Sequence, residues 1–286
     1  MSDTVATRTD AATATVDAVQ FLGRASDRMF ATTVSPSGAS RAGVVICPSI
    51  MADFIPNYRR EVVLGRELAS AGVAAQRFHY RGIGHSDGNA VDLSFKSMVG
   101  DAMEAAAHLV KSADSSKLGF VGTRFGALTA AAVAAQHPGS PLALWEPTLT
   151  PKSYFREAFR AVMMMGVHLD ESERITTADM QRELTEAGAT QVLGYPVHKA
   201  FYDDVVERDL VSELGSEPRP IFLVQLGGTA LRKDNQAAVD RWTAAGFEVT
   251  SHVLPTKEAW WFLDDRAVPS ADLVRLTVDW FGAQFA

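Results

Sequence analysis

The chain has 286 residues, of which 47% are hydrophobic and 21% are charged, and its net charge is −7. This length and composition match an ordinary globular protein and provide enough apolar residues for one large domain, or for one domain with an inserted cap. The negative charge argues against nucleic acid or an anionic membrane surface as the main partner.

The beginning of the chain and its cysteine content bear on location. Residues 1–18 lack the basic start and apolar run of a signal peptide, and their Ala, Thr and Asp content predicts a disordered lead. No apolar run approaches the ~20 residues that span a bilayer, so we expect no membrane partner. The single cysteine, Cys47, excludes an intrachain disulfide and fits a reducing compartment. We therefore expect a cytoplasmic protein.

Strand-like and helix-like segments alternate after residue 18, which predicts an α/β fold with a mostly parallel sheet of about eight strands. The first two, Val19–Leu22 and Met29–Val34, are expected to form an antiparallel pair. The other predicted strands are Gly43–Cys47, Val73–Phe78, Lys117–Val121, Leu142–Trp145, Pro220–Gln225 and Glu248–Val253. The predicted helices are Tyr58–Ala71, Phe95–Lys111, Phe125–Gln136, Asn235–Ala245 and Ala271–Phe281.

The periodicity changes between residues 151 and 200, where a helical pattern without a clear strand predicts an inserted helical cap. The core would then consist of residues 19–150 and 201–286. The segment Met163–Val167 is apolar and adaptable, which suits packing over a pocket and makes Met164 a candidate substrate-binding residue. The alternative is that these methionines fill core space.

A strand–turn–helix pattern is indicated by GFVGTRFGAL at residues 119–128. Its glycines have the spacing of the Gly-x-Ser-x-Gly turn that presents the nucleophile of serine hydrolases, but Arg124 stands at the central position. With the loop HYRGIGHSDG at 79–88, the order of segments resembles the α/β-hydrolase superfamily, over nearly the whole chain after residue 18. The resemblance implies an α/β-hydrolase fold in which a helical cap is inserted.

Within that superfamily, the loop at residues 79–88 is similar to the serine aminopeptidase-like and acyl-hydrolase branches. A closer resemblance is to the exosortase-associated hydrolases, which also tend to carry Arg at this turn. The hydrolase name of that family comes from its fold, so the resemblance implies little about hydrolysis. The matching pieces are IPNYRR at 55–60, GTRFG at 122–126, LWEP at 144–147, LGYPV at 193–197 and Trp260-Trp261.

Serine-type hydrolysis needs a nucleophile, a base and an orienting acid. Arg124 stays protonated at physiological pH and cannot attack a carbonyl. Thr123 is adjacent, but the turn exposes only its central residue. The strand PIFLVQ is followed by no nearby carboxylate, which leaves Glu146 as the candidate acid, or as a structural cap. No histidine follows the last strand, so His252 within it is the candidate base, or a core or surface residue. The sequence therefore predicts loss of the Ser-His-Asp triad.

Arg124 has two alternative roles. The turn lies at a helix N-terminus, which attracts anions, and a guanidinium binds carboxylate or phosphate in a planar fork. A small anionic substrate is one partner, with Thr123 and Phe125 beside it. The other partner is internal, because a buried charge is normally paired, and Asp53 or Glu146 would supply the carboxylate. We count Asp53 among the candidate substrate-binding residues under both alternatives.

Other residues and partners complete the expectations. Trp260 and Trp261 stand where a catalytic histidine loop is usual and are predicted to wall an apolar pocket, or to pack under the cap. The spacing of the seven histidines fits no metal site, and no cofactor is expected. The cap invites a homodimer. The sequence favours a cofactor-free lyase, isomerase, cyclase or water-mediated hydrolase acting on a small acidic metabolite. The alternatives are a non-catalytic binding or scaffold protein, and an ester or peptide hydrolase with displaced catalytic residues.

Overall fold

A computed structural model describes residues 3–10, 15–168, 170, 174–255 and 271–286. Its main sheet contains β1 (Asp3–Asp10), β2 (Thr15–Arg24), β3 (Asp27–Pro36), β4 (Ala42–Cys47), β5 (Val73–Phe78), β6 (Leu118–Thr123), β7 (Leu142–Trp145), β10 (Pro220–Leu226) and β11 (Glu248–Leu254). Strands β8 (Ala189–Val192) and β9 (Tyr195–His198) form a separate hairpin. The order in the main sheet is β1-β2-β3-β5-β4-β6-β7-β10-β11.

The expected mostly parallel sheet is confirmed. Strands β5, β4, β6, β7, β10 and β11 are parallel to one another, and β1, β2 and β3 continue the sheet in antiparallel pairing. All eight predicted strands are present. The ninth, β1, lies in the segment 1–18 for which the sequence predicts a disordered lead, and β2 also begins there, at Thr15. The reason is compositional, since β-branched Thr and Val in DTVATRTD favour an extended chain.

Helices cover both faces of the parallel sheet. The nine helices of the described chain are α1 (Phe54–Ser70), α2 (Phe95–Ala113), α3 (Gly126–Ala134), α4 (Pro151–Met165), α5 (Thr177–Glu186), α6 (Lys199–Val205), α7 (Leu210–Glu213), α8 (Lys233–Ala244) and α9 (Ala271–Gln284). Strand β4 is buried on both faces: Val45 and Cys47 join the apolar cluster of α2, α3 and α8, and Val44 and Ile46 join that of α1 and α9. Burial on both faces explains the unbroken apolar run in its sequence.

The segment 151–200 differs from the expected all-helical cap. It contains α4 and α5, but also the β8–β9 hairpin. The two residues between these strands, Leu193 and Gly194, have φ angles of 53° and 84°. Positive φ at both central residues is the geometry of the tight turn that best joins two twisted antiparallel strands. The Leu-Gly pair between short alternating segments is thus a hairpin signal that helical periodicity hid.

Met164 also differs from the expectation that it packs over a pocket or fills the core. Its side chain is 66% exposed near the carboxyl end of α4, and Met165 beside it is 64% exposed. The apolar face that α4 buries is formed instead by Tyr154, Phe155 and Phe159. The methionines follow that face by several residues and lie beyond the part of the helix that contacts the core.

Candidate functional site

The sharp turn after β6 has the backbone geometry of a nucleophile elbow. Arg124 has a φ angle of 50°, in the left-handed region that costs a side-chain-bearing residue about 1 kcal/mol or more. Its N–H donates to the carbonyl of Trp145 at 3.0 Å, and its carbonyl accepts from the N–H of Thr148 at 3.1 Å. The turn is therefore held by hydrogen bonds to the end of the neighbouring strand β7, with arginine at its centre.

Two glycines allow this turn to pack closely. A Cβ at Gly122 would lie 2.4 Å from the Cα of Ala127, and one at Gly126 would lie 2.2 Å from the carbonyl oxygen of Cys47. Real Cβ atoms do not approach backbone this closely, so both positions need glycine. The glycines predicted from the elbow spacing are thus required for packing α3 against β4 and β6.

The side chain of Arg124 is held by two carboxylates. Its Nε donates to Oδ2 of Asp53 at 2.9 Å, and its Nη2 donates to Oε2 of Glu157 at 2.8 Å. The guanidinium carbon also lies 5.7 Å from the ring centroid of Tyr154. Arg124 and Asp53 side chains are only 9% and 4% exposed, whereas Glu157 is 42% exposed. The internal Asp53 pair, one of the two alternatives from the sequence, is therefore present.

The electrostatics of this pair reflect its burial. Burial lowers the pKa of Arg124, but the carboxylates of Asp53 and Glu157 more than offset that effect, so its pKa is raised. Burial also raises the pKa of Asp53, and the charge of Arg124 opposes this rise. The guanidinium stays charged, and the ion pair depends on Arg124 to keep a buried carboxylate ionised.

Little space remains beside the guanidinium. The cavity bounded by Asp53, Arg124, Tyr154 and Glu157 measures about 20 Å³, which is about the volume that one water needs. On the solvent side of Glu157 a cleft of about 520 Å³ opens, with Arg156, Arg160 and Arg232 among its lining residues, and Arg124 borders it too. The elbow itself is filled, and the open volume lies outside it.

Glu146 is committed to a partner other than Arg124. It lies directly after β7 with a φ angle of 44°. One carboxylate oxygen accepts from the backbone N–H of Leu226 at 2.7 Å, and the other accepts from Arg232. Its side chain is 8% exposed. These contacts fit the structural alternative from the sequence, in which Glu146 caps nearby backbone and binds the β10–α8 connection.

His252 lies on the exposed edge strand β11, on the face of the sheet that α9 covers. Its ring meets that of Phe222 edge to face, with 5.5 Å between the centroids, and Phe222 in turn stacks on Trp280 of α9. Its partner in the parallel register is Val224. The position therefore agrees with the surface alternative. Alternation along β11 directs the His252 side chain to a face of the sheet, whereas Arg124 lies at the ends of the parallel strands.

The residues beside Arg124 are both buried. Thr123 is fully buried at the end of β6, and its hydroxyl helps to lower the pKa of Glu61. The ring of Phe125 packs on Tyr154 and Phe201 at centroid distances of 5.2 and 6.0 Å. The N–H of Phe125 donates to the hydroxyl of Ser49 at 3.3 Å. In a serine hydrolase this N–H, on the residue after the nucleophile, is half of the oxyanion hole.

A buried acid lies behind the elbow on α1. Glu61 is 2% exposed. Burial raises its pKa from the ordinary 4.5 to about 7, although Arg77 opposes the rise. Because the folded pKa is raised, the stabilising contribution is fully present below pH 4.5 and is lost as the pH rises through about 7.

We therefore expect Glu61→Gln to flatten part of the pH dependence of stability. Between pH 4.5 and 7.5 the native protein should lose about 3 kcal/mol of unfolding free energy relative to the variant, as a shift of this size implies. Urea unfolding at a series of pH values measures the difference. Two parallel stability curves would show that Glu61 titrates normally.

Some site residues were found only in the structure. Glu157 and Tyr154 are three residues apart on α4, a spacing that brings side chains onto one helix face, and Ser49 follows β4 directly. That spacing was the signal in the sequence by which Glu157 and Tyr154 could have been grouped.

Trp260 and Trp261, predicted to wall a pocket, lie outside the described residues. Within the described ranges, no group of three or more His, Cys, Asp or Glu side chains is arranged to hold a metal ion, and no helix is long and apolar enough to cross a bilayer.

Comparisons with known proteins agree on the fold. Residues 40–186 match the family described as serine aminopeptidase, S33, whereas no curated protein matches the chain. Among solved structures, a thermostable carboxyl esterase from Bacillus coagulans is similar with a TM-score of 0.64 and 13% identity, covering 94% of this chain and 99% of the esterase. Est1E from Butyrivibrio proteoclasticus has a TM-score of 0.62 and 11% identity, with 93% and 98% covered. Proline iminopeptidase from Mycobacterium smegmatis has a TM-score of 0.61 and 14% identity, with 93% and 98% covered.

Proposed function

The chain belongs to the serine aminopeptidase, S33 family of α/β-hydrolase-fold proteins, and we propose that it uses this fold to bind a ligand without serine-type turnover. The observation that carries the proposal is the elbow itself. Its central side chain is a guanidinium held at 2.9 and 2.8 Å by Asp53 and Glu157. A cation locked between two carboxylates has no lone pair with which to attack a carbonyl.

The surroundings of the elbow support the same proposal. The sequence contains no histidine after His252, and the ring of His252 packs on Phe222. Glu146 is engaged by Arg232 and the Leu226 N–H, which removes it from the role of orienting acid. Each triad position thus has either the wrong chemistry or a competing structural partner.

The electrostatics beside the elbow also oppose acyl transfer. An oxyanion hole stabilises a developing negative charge with donors fixed in advance. Here the N–H of Phe125 already donates to Ser49, and the Asp53 carboxylate lies within the elbow. A tetrahedral oxyanion at this position would meet a fixed carboxylate, and repulsion between like charges in a buried site is strong.

We expect neither the native protein nor an Arg124→Ser variant to react with a fluorophosphonate serine-hydrolase probe or to cleave p-nitrophenyl esters. The variant supplies the hydroxyl, but no histidine is among the described residues that line the two spaces at the elbow, so the imidazole base of the triad is not there to take its proton. Probe labelling on a gel and ester absorbance are the measurements, with circular dichroism to verify folding. Labelling and turnover by the native protein would contradict the proposal. Turnover by Arg124→Ser alone would show that a base and acid remain in place.

A second candidate is a cofactor-free enzyme that binds a small acidic metabolite at Arg124, and one observation favours it. Glu157 is 42% exposed, so it is the replaceable partner of the Arg124 guanidinium. A ligand carboxylate that enters through the cleft of about 520 Å³ could take its place. Exchange of one carboxylate for another leaves Arg124 paired. A panel of small carboxylic acids that raises the melting temperature of the native protein, but not of Arg124→Ala, would favour this candidate.

A further inference from the structure

A second cavity, separate from the filled elbow, lies between the β8–β9 hairpin and the core. It measures about 200 Å³. One wall comes from the loop after β4 and the start of α1, through Ile50, Met51 and Phe54. The opposite wall comes from β9 and α6, through Val197 and Phe201. The glycine-rich loop closes a third side with Gly82, Ile83 and Gly84.

The chemistry of the lining selects against charge. Among the described lining residues none is Asp, Glu, Lys or Arg, and most are aliphatic or aromatic. Burying an ion without a partner costs far more than binding at such a site returns. Tyr195 and His198, which are only partly buried, supply polar groups to the lining. A neutral, mainly apolar molecule with one hydrogen-bonding group fits this distribution.

The size and shape of the cavity restrict the ligand further. A cavity of about 150 Å³ lined by aliphatic and aromatic side chains is large enough for benzene, so about 200 Å³ admits one ring with a small substituent or a fused pair of small rings. Phe54, Tyr195 and Phe201 provide aromatic surfaces, and aromatic rings favour edge-to-face and offset contacts with one another. Flat aromatic molecules are thus preferred over long flexible chains.

We propose that this cavity is a binding site for a small neutral aromatic molecule of the phenol or indole class. The inference rests on the proposed function, ligand binding without serine-type turnover, because a ligand held in this cavity needs no chemistry at the elbow. Met51 connects the two, since it borders both this cavity and the filled space beside Arg124. The apolar ring lies against Phe54 and Phe201, and the hydroxyl or N–H is directed to Tyr195 or His198.

The proposal is tested by isothermal titration of the native full-length chain with phenol, indole and benzoate. Phenol or indole should bind saturably, and benzoate, a phenol-sized anion, should bind at least about tenfold more weakly. Ala90→Leu extends a side chain from the cavity wall and should weaken phenol and indole binding about tenfold or more. Val91→Leu is the matched control, since Val91 is 54% exposed and is not among the lining residues, and it should leave binding unchanged.

No saturable binding of phenol or indole, equal binding to Ala90→Leu, or equal binding of benzoate would each overturn the proposal. If Ala90→Leu does not fold, backbone amide NMR shifts of the native protein locate the ligand instead. Phenol should shift Leu93, Val197 and Phe201 amides, and shifts elsewhere alone would overturn it. Failure here with no probe labelling leaves the proposed function intact, whereas labelling and ester turnover refute that function whatever the binding result.

Discussion

Replacing Arg124 with alanine is expected to lower the free energy of unfolding by about 3–5 kcal/mol at neutral pH, the usual cost of removing one partner from a buried ion pair. The reason is the remaining Asp53 carboxylate, which is 4% exposed and loses its 2.9 Å contact with the guanidinium. Denaturant unfolding followed by circular dichroism measures the change. A loss below about 1 kcal/mol would mean that water or another group already solvates Asp53.

Two controls separate the charge from the lost side chain. Adding Asp53→Asn to Arg124→Ala should recover much of the stability, because no buried charge then lacks a partner. Glu157→Gln alone should cost less than about 1 kcal/mol, since Glu157 is 42% exposed and solvent screens its contact. If the double variant is no more stable than Arg124→Ala, the loss comes from packing and not from charge.

The Arg124→Ala variant should lose less stability, relative to the native protein, in acid than at neutral pH. Burial raises the pKa of Asp53, and Arg124 is the main group that opposes the rise. Without Arg124, the folded state therefore binds a proton more readily than the unfolded state. Stability is then present below the ordinary pKa and is lost as the pH rises through the folded one. The deficit of Arg124→Ala against the native protein should accordingly shrink as the pH falls.

Gly126→Ala is expected to be the most damaging single-methyl change in the elbow, costing about 3 kcal/mol or more. The new Cβ would meet the carbonyl oxygens of Cys47 and Pro48 at 2.2 and 2.4 Å. Both are backbone atoms next to the buried strand β4, so neither can move aside as a flexible side chain could. Thermal melting and denaturant unfolding report the loss.

Gly100→Ala is the matched control, because it adds the same methyl group in the middle of α2. Apart from its chain neighbours and the adjacent backbone of α2 itself, no heavy atom lies within 4 Å of the Cβ position there. Alanine has a higher helix propensity than glycine, so this variant should gain about 0.5–1 kcal/mol. Equal effects of the two substitutions would contradict the argument from close packing at the elbow.

Most of the fold could be predicted from the sequence because its strands are short, apolar and separated by helical periodicity. The elbow glycines indicated a sharp turn, and the structure gives Arg124 the left-handed φ of 50° that such a turn requires. Burial on both faces made strands such as β4 and β6 easy to recognise. The sheet order, by contrast, depends on pairing between distant segments, which periodicity does not contain, and it was not predicted.

The side-chain arrangement of the site was only partly predictable. Asp53 was a candidate partner of Arg124 because it lies in the loop after the first core strand, where hydrolases of this fold often form half of the oxyanion hole, and because a buried charge is normally paired. Glu157 was not, because it belongs to α4, whose position over the elbow depends on tertiary packing of Tyr154 and Phe155. The β8–β9 hairpin was not predicted, because two short strands joined by a Leu-Gly turn give a weaker sequence signal than the helical periodicity around them.

The Asp53–Arg124 ion pair also limits which single substitutions the elbow tolerates. A single mutation from arginine to serine would place a hydroxyl at the elbow and, in the same step, leave Asp53 buried beside it without the Arg124 charge. Such a variant loses stability before it gains any activity, and the sequence contains no histidine after His252 that could serve as the base. Neither Asp53 nor Arg124 is therefore easily replaced alone, because each residue of the ion pair makes the loss of the other costly in stability.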